Sequence, residues 1–199
     1  MSNELIQLIK QRRSIRRFQD KPVERELIEE IIQAGRYAPS DRNRQPWRFI
    51  IITNKEYIHD LSEKVKEELK KLLRKKINVP KELKERENKI LLAAAAYAKE
   101  DHIFFDAPVL ILVLTDDKLF STESTACCAQ NMMLAAYSLG IGSCWIGLAN
   151  VLNLNKKYLK DIGVPEGYHI AAAIVFGYPA EEKMKLPIRK IGDIIKWID

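Results

Sequence analysis

Apolar residues recur at helical spacing through the first part of the chain. Leu5, Ile6, Leu8 and Ile9 predict a short helix that stops before a cluster of arginines. Leu27, Ile28, Ile31, Ile32 and Ala34 form an apolar stripe within Val23–Tyr37, with Glu24, Arg25, Glu29 and Glu30 largely outside it, so a second helix is expected after Pro22. Trp47–Thr53, built on the apolar run Phe49–Ile52, is largely apolar and β-branched, the pattern of a buried strand. Ile58, Leu61, Val65, Leu69, Leu72 and Leu73 return mostly every three or four residues and predict a long helix. Pro80 should break it, with another helix from near Lys81 through the alanines at 93–96. Pro108–Thr115 reads as a strongly apolar strand. Thr122–Leu139 reads as a largely apolar helix that must be buried on most sides or face a partner subunit. Gly142–Ile146 and His169–Phe176 supply two further strands around a short helix, Asn155–Ile162. Helices outnumber strands and do not alternate strictly with them, which points to an α+β sheet sandwiched by helices. Gly140 and Gly142 follow a helix and precede a strand, the reverse of a dinucleotide-binding fingerprint. They read as a helix end turning into a strand.

Composition narrows the class. At 199 residues and 47% hydrophobic content the chain fits one domain, 1–199, with a sizeable core. Leu91–Ala98 and Val109–Leu114 are too short to span a membrane, and the amino terminus carries no short hydrophobic signal core, so a soluble cytoplasmic protein is expected. Cys127, Cys128 and Cys144 have neither zinc-type spacing nor a C-x-x-C motif; the adjacent pair reads as small buried hydrophobes. His102 and Asp106 have helical i,i+4 spacing but no third ligand, so no metal is expected. The net charge of +6 raises nucleic acid as a partner. Its excess, however, lies in Lys64–Lys89, interleaved with Glu67, Glu68, Glu82, Glu85 and Glu87. That mixture predicts a solvated helix face rather than a nucleic-acid surface.

Two blocks carry the candidate chemistry. Arg12-Arg13-Ser14-Ile15-Arg16-Arg17-Phe18 concentrates guanidinium groups and a hydroxyl between two helical patterns, which suits a phosphate or other small polyanion. Ala38-Pro39-Ser40-Asp41-Arg42-Asn43-Arg44-Gln45-Pro46-Trp47 is a polar loop running into a strand, which suits a planar polar ligand. No Ser-His-Asp or Cys-His grouping, paired-carboxylate motif or phosphate-binding Walker loop occurs at a convincing spacing. An enzyme of this sequence needs a bound group to supply its reactivity, and a flavin fits.

With Asp106-Ala107-Pro108-Val109, the helix segment 129–136, Gly140–Gly147, Gly177-Tyr178-Pro179 and the basic Arg189-Lys190, these blocks resemble the FMN-dependent nitroreductase family along nearly the whole chain. The resemblance implies a central mixed β-sheet of four to five strands between helices, an intertwined homodimer with FMN at the subunit interface, and a helical insertion at about 55–100. It assigns Arg12 and Ser14 to the phosphate and ribityl end and Arg16 to the flavin pyrimidine edge, with Arg13 assisting. Pro39, Ser40, Asp41 and Asn43 would reach the same FMN from the partner subunit, with Gln45 bracing their loop. Ile146 and Gly147 would bring backbone groups near the flavin N5, and Arg189 or Lys190 would close on the phosphate. The chain departs from some relatives by carrying Ile146 where they have a glutamate, so any role there is backbone or steric. Trp47 and Trp145 read as core or wall residues.

The activity so implied is ping-pong transfer of a hydride from NADH or NADPH, through FMN N5, to a nitroaromatic, quinone or similar acceptor. Related reactions on this fold include reductive dehalogenation and oxygen-dependent flavin fragmentation, and a flavin-binding module without turnover is a further alternative. The insertion and residues 120–124 would either set acceptor size or only bury dimer surface.

Overall fold

The apolar run before Thr115 forms β2 (Val109–Asp116), an inner strand of a four-stranded sheet. The computed structural model describes residues 3–74, 86–181, 189 and 194–198, residues 86–88 by their backbone alone. The strand order is β1 (Arg48–Ile52), β2, β4 (Tyr168–Gly177), β3 (Gly142–Trp145). All three ladders are antiparallel. The parallel pairing expected of a mixed sheet is represented, among the described residues, by the single bridge Ser14–Ser143.

Side chains of β2 alternate between two cores, as strand geometry requires. Leu110, Leu112 and Leu114 face α3 (Lys55–Arg74), α4 (Arg86–Tyr97) and the 3-10 segment Gly147–Leu154. Val109, Ile111 and Val113 face α2 (Arg25–Arg36) and α5 (Ser121–Ser138). On β4 the register shifts between Val113 and Leu114, which pair with Ala172 and Ile170 and leave Ala171 as an extra residue. A bulge of one residue reverses strand parity. Ile170 therefore belongs to the first core although Ala172, two residues on, belongs to the second.

The sequence-derived elements are all present within a few residues, with α1 at Glu4–Gln11 and α6 at Lys156–Asp161. Pro80 and Lys81–Glu85 lie outside the described residues. No described helix is long and apolar enough to cross a membrane. Two sequence expectations need correction. Cys127 is exposed and only Cys128 is buried, because a helical step of about 100° carries the two neighbours to different faces of α5. Burial pushes the Cys128 thiol up to about 12, so it stays an inert hydrophobe. The charged face expected over 64–89 is also not fully solvated: Lys66 is 2% exposed and Glu68 is buried.

Lys66 sits there because its ammonium has three acceptors. It donates to Glu63 at 2.8 Å and to the carbonyls of Ala98 and Glu100, each at 3.2 Å, fastening the end of α4 to α3. Lys66→Met keeps the apolar stem but leaves those carbonyls without the donor. The expected loss is about 1–2 kcal/mol, read as an earlier midpoint in urea unfolding with an unchanged slope.

Candidate functional site

The arginine block runs as an arm from α1 onto the edge of β3. Ile15 N–H donates to Ser143 O at 2.9 Å, and Gln19 N–H to Tyr178 O at 2.8 Å, so both ends of the arm are held by the sheet. Side chains alternate along it. Ile15 packs on Gly142, where an added Cβ would lie 2.7 Å from Ile15 Cγ1. Arg12, Ser14 and Arg16 gather around the sulfur of Cys144: burial pushes this thiol up, while Arg16, Ser14 and Arg12 pull it the other way.

Three polar atoms at this junction are buried with no partner among the described residues: Arg12 Nη1, Arg13 Nε and Ser143 Oγ. Native interiors rarely leave such groups unpaired, and a ligand is one of the standard explanations. Arg12 is also pushed below its ordinary range, first by burial, then by Arg13 and, more weakly, by Arg189. Crowded, partly desolvated guanidinium groups favour an anion between them. Arg189 is exposed and close enough to act on Arg12, whereas Lys190 lies outside the described residues. Arg13 has a second task, since its Nη1 donates to the carbonyls of Lys10 at 2.7 Å and Arg12 at 2.6 Å and closes the end of α1.

Beyond Arg16 opens a cavity of about 430 Å³ with apolar walls. One side is Cys144–Leu148; the other is Leu91, Ala94, Ala95 and Ala98 of the α4 region, with His102, Ile103 and Phe105. Ile146 lines it, but its N–H is bound to Ala173 O at 2.7 Å and its side chain is buried in the core. Gly147 opens the 3-10 segment, whose first amides have no partner within it, and an added Cβ would meet nothing within 4 Å. Trp145 is a wall residue and Trp47 a core residue. Asp101 shapes the far rim: its carboxylate accepts from Ser62 Oγ at 2.6 Å and from the amides of Ile103 and Phe104. Phe105 and Asp106 follow with φ of 59° and 50°. This turn sends His102 to the apolar cavity and Asp106 to a different one beside Asp20 and Lys55, so the two do not form a metal pair.

The second block lies elsewhere. Pro39–Gln45 contains a short 3-10 turn, Asp41–Asn43, with Arg42, Asn43 and Gln45 at positive φ. Ser40 Oγ accepts from Gln45 N–H, and Gln45 Nε2 donates to Asn43 Oδ1, both at 3.1 Å, so Gln45 does brace the loop. Asp41 N–H donates to Ser124 Oγ, and Arg44 reaches Asp116 and Ser121. These contacts fix the loop at the Asp116 end of β2, while the arm joins Ser143, which pairs with Phe176 opposite Val109 at the other end. The separation along β2 is roughly 20 Å at about 3.3 Å per residue. Within one chain the structure therefore brings together Arg12, Arg13, Ser14, Arg16, Ile146, Gly147 and Arg189, but not Pro39, Ser40, Asp41 or Asn43. Ser143 was missed by sequence reasoning; a serine in a short apolar strand gives no signal of an unpaired hydroxyl.

Comparison with known proteins gives a consistent picture. The sequence profile of the Nitroreductase family matches residues 9–178. A protein of Methanothermobacter thermautotrophicus, provisionally named NADH dehydrogenase/NAD(P)H nitroreductase, is 31% identical over 183 residues, covering 89% of this chain and 78% of its own. The chloronitrobenzene nitroreductase of Comamonas testosteroni is 27% identical over 195 residues, covering 86% of this chain and 85% of its own. Among solved structures, a nitroreductase with bound FMN from Bacteroides fragilis superposes with a TM-score of 0.82 at 29% identity, covering 99% of this chain and 100% of that one.

Proposed function

Because the chain belongs to the nitroreductase family, we propose that it is a cytoplasmic FMN-dependent oxidoreductase that takes reducing equivalents from NADH or NADPH and delivers them to a nitroaromatic, quinone or similar flat acceptor. The observation that carries this reading is the group of buried, unpaired donors on Arg12, Arg13 and Ser143 beside an apolar cavity. A phosphate-bearing planar cofactor uses both features at once. When bound, FMN supplies the hydride chemistry. The chain's own residues bind and orient. Arg12, Ser14 and Arg189 hold the phosphate and ribityl end, Arg13 assists, Arg16 supplies positive charge at the pyrimidine edge, and the first amide of the 3-10 segment at Gly147 lies along the cavity. The wall of small side chains at 94, 95 and 98 keeps water from one side and leaves a flat slot for donor and acceptor in turn.

A homodimer completes the site. The loop Pro39–Asn43 is too far from the arm of its own chain to share a ligand with it, so it serves the arm of a second copy. Supporting this, α1 exposes Leu5, Ile6 and Ile9, and the carboxy-terminal stretch exposes Ile194, Ile195, Trp197 and Ile198, with Ile195 wholly uncovered. Apolar surface of that extent suits a partner. Deleting residues 194–199 should weaken dimerisation several-fold and weaken FMN retention with it, as measured by sedimentation velocity of the coloured protein.

The defining test is an absorbance spectrum of the purified protein followed by NADH and NADPH under argon. Yellow protein that bleaches is expected. Colourless protein that refuses added FMN would remove the proposal, and a flavin that neither nicotinamide bleaches would leave a binding module. For Arg16, the charge argument gives a separate expectation: in Arg16→Ala, FMN still binds but its potential falls by about 30 mV, the two-electron equivalent of about 1.4 kcal/mol. An unchanged potential in a xanthine-oxidase titration would put Arg16 away from the pyrimidine edge.

A further inference from the structure

The cavity of about 940 Å³ at the far end of the 3-10 segment 147–154 is a different place from the one beside Arg16. Gly147 lines the first and Asn153 the second. A 3-10 rise of about 2.0 Å per residue separates them by on the order of 12 Å, with the segment packed between.

Its walls are held by bonds within the chain. Asn153 clamps Ile170 from both sides, donating to its carbonyl and accepting from its amide at 2.9 Å each. Val164 N–H donates to Leu159 O at 2.9 Å, and Tyr168 N–H to Pro165 O at 3.1 Å. Gly163 and Gly167, at φ of 85° and 79°, make the two tight turns that bring Val164 and Pro165 over the opening.

The polar groups on these walls have unused donors. Lys156 and Lys160 stand one helical turn apart on α6, and neither ammonium has a hydrogen bond or ion pair with another described residue. His169 is held at Nδ1 by Asp117 at 2.9 Å, which fixes the ring and leaves Nε2 without a partner among the described residues; Nε2 is a donor in the imidazolium form, which Asp117 and a bound dianion both favour. Leu159, Val164, Pro165 and the Tyr168 ring form the apolar side. Glu166 on the rim is an acceptor for hydroxyl groups.

We propose that this cavity is a second ligand site, for a small organic phosphate of nucleoside-monophosphate size. The phosphate lies between Lys156, Lys160 and His169 Nε2, the base lies against the apolar side, and the sugar hydroxyls donate to Glu166. Two ammonium donors and an oriented imidazolium match a tetrahedral dianion, and the apolar side gives a preference over the bare ion. The site stands independently of the flavin reading, since none of its residues lines the cavity beside Arg16.

Calorimetric titration of the flavin-loaded protein with adenosine 5′-monophosphate tests it, with inorganic phosphate as the second probe. The expected result is one nucleotide per chain with Kd below about 1 mM, and at least tenfold weaker binding of inorganic phosphate. Lys156→Gln with Lys160→Gln should weaken the nucleotide about tenfold or more, with Tm and flavin absorbance unchanged, since both side chains are exposed. Three results would overturn the assignment: no binding in the millimolar range, equal binding by the double variant, or release of FMN by the nucleotide, which would place it in the flavin site. Equal affinity for inorganic phosphate would reduce the cavity to a patch of positive charge and sink it as well.

Discussion

Arg12→Ala weakens FMN binding about 10- to 100-fold, the largest single effect expected in this protein. A charge-assisted hydrogen bond contributes about 1.5–3 kcal/mol, and about 1.4 kcal/mol corresponds to tenfold in affinity. Arg12 is where that interaction concentrates. Its Nη1 is buried without a partner among the described residues, and its charge is disfavoured by burial and by Arg13 and Arg189. A phosphate dianion relieves all of these together. Truncation removes the donor but leaves the Arg13 and Arg189 charges, so binding is weakened rather than abolished. Arg12→Lys should recover only part of the loss, because an ammonium keeps the charge but not the planar fork. Arg17→Ala is the control: that guanidinium is exposed and paired with Glu181 at 2.9 Å, and its loss should leave the flavin untouched. Quenching of free FMN fluorescence on titration with apoprotein measures all three. Equal affinity of Arg12→Ala and wild type would mean that the buried guanidinium serves only the junction of α1 with the sheet.

The elements of this fold were legible because their signals are local. The stripe Leu27, Ile28, Ile31, Ile32 and the run Val109–Leu114 each have one period and one interpretation, and α2 and β2 stand where those patterns put them. What escaped was set by distant parts of the chain. The parity change at Ala171 exists only against Val113 and Leu114 of β2, and nothing around Ala171 announces it. Lys66 reads as one more surface lysine until the carbonyls of Ala98 and Glu100 are brought to it from beyond the next helix. The 3-10 course of Gly147–Leu154 has no clear period, being mostly apolar and short. The site was legible to a similar depth. The arginine-serine cluster between helices suggested a small anion by composition, and the family resemblance then singled out Arg12, Ser14 and Arg16 within it. Ser143 did not, since its importance comes from the arm lying beside it. The placement of Pro39–Asn43 at the opposite end of β2 is likewise a property of the sheet, and it turns a list of polar residues into an argument for two chains per site.

Gly142 and Gly147 stand five residues apart on either side of that site, and alanine at each should separate stability from binding. At Gly142 an added Cβ would lie 2.7, 2.9 and 3.0 Å from Cγ1, Cβ and Cγ2 of Ile15. The side chain cannot swing clear, because its own Cβ is among the clashing atoms and its N–H is bonded to Ser143 O. The backbone of the arm must retreat. Overpacking of this kind costs about 2–3 kcal/mol, or roughly 4–12 °C in Tm for a chain of this size. Retreat of the arm carries Arg12, Ser14 and Arg16 with it, so FMN affinity falls in the same variant. Adding Ile15→Ala to Gly142→Ala removes two of the three clashing atoms and should restore part of the flavin affinity, although the packing lost with Ile15 itself remains lost. At Gly147 the added methyl meets nothing within 4 Å of the chain, and the backbone needs no left-handed conformation. Gly147→Ala should therefore leave Tm within about 1 °C of wild type. If FMN lies along this residue, the same methyl stands in its way and affinity drops without loss of stability. Equal FMN affinity in Gly147→Ala and wild type would move the flavin off that stretch of the cavity wall.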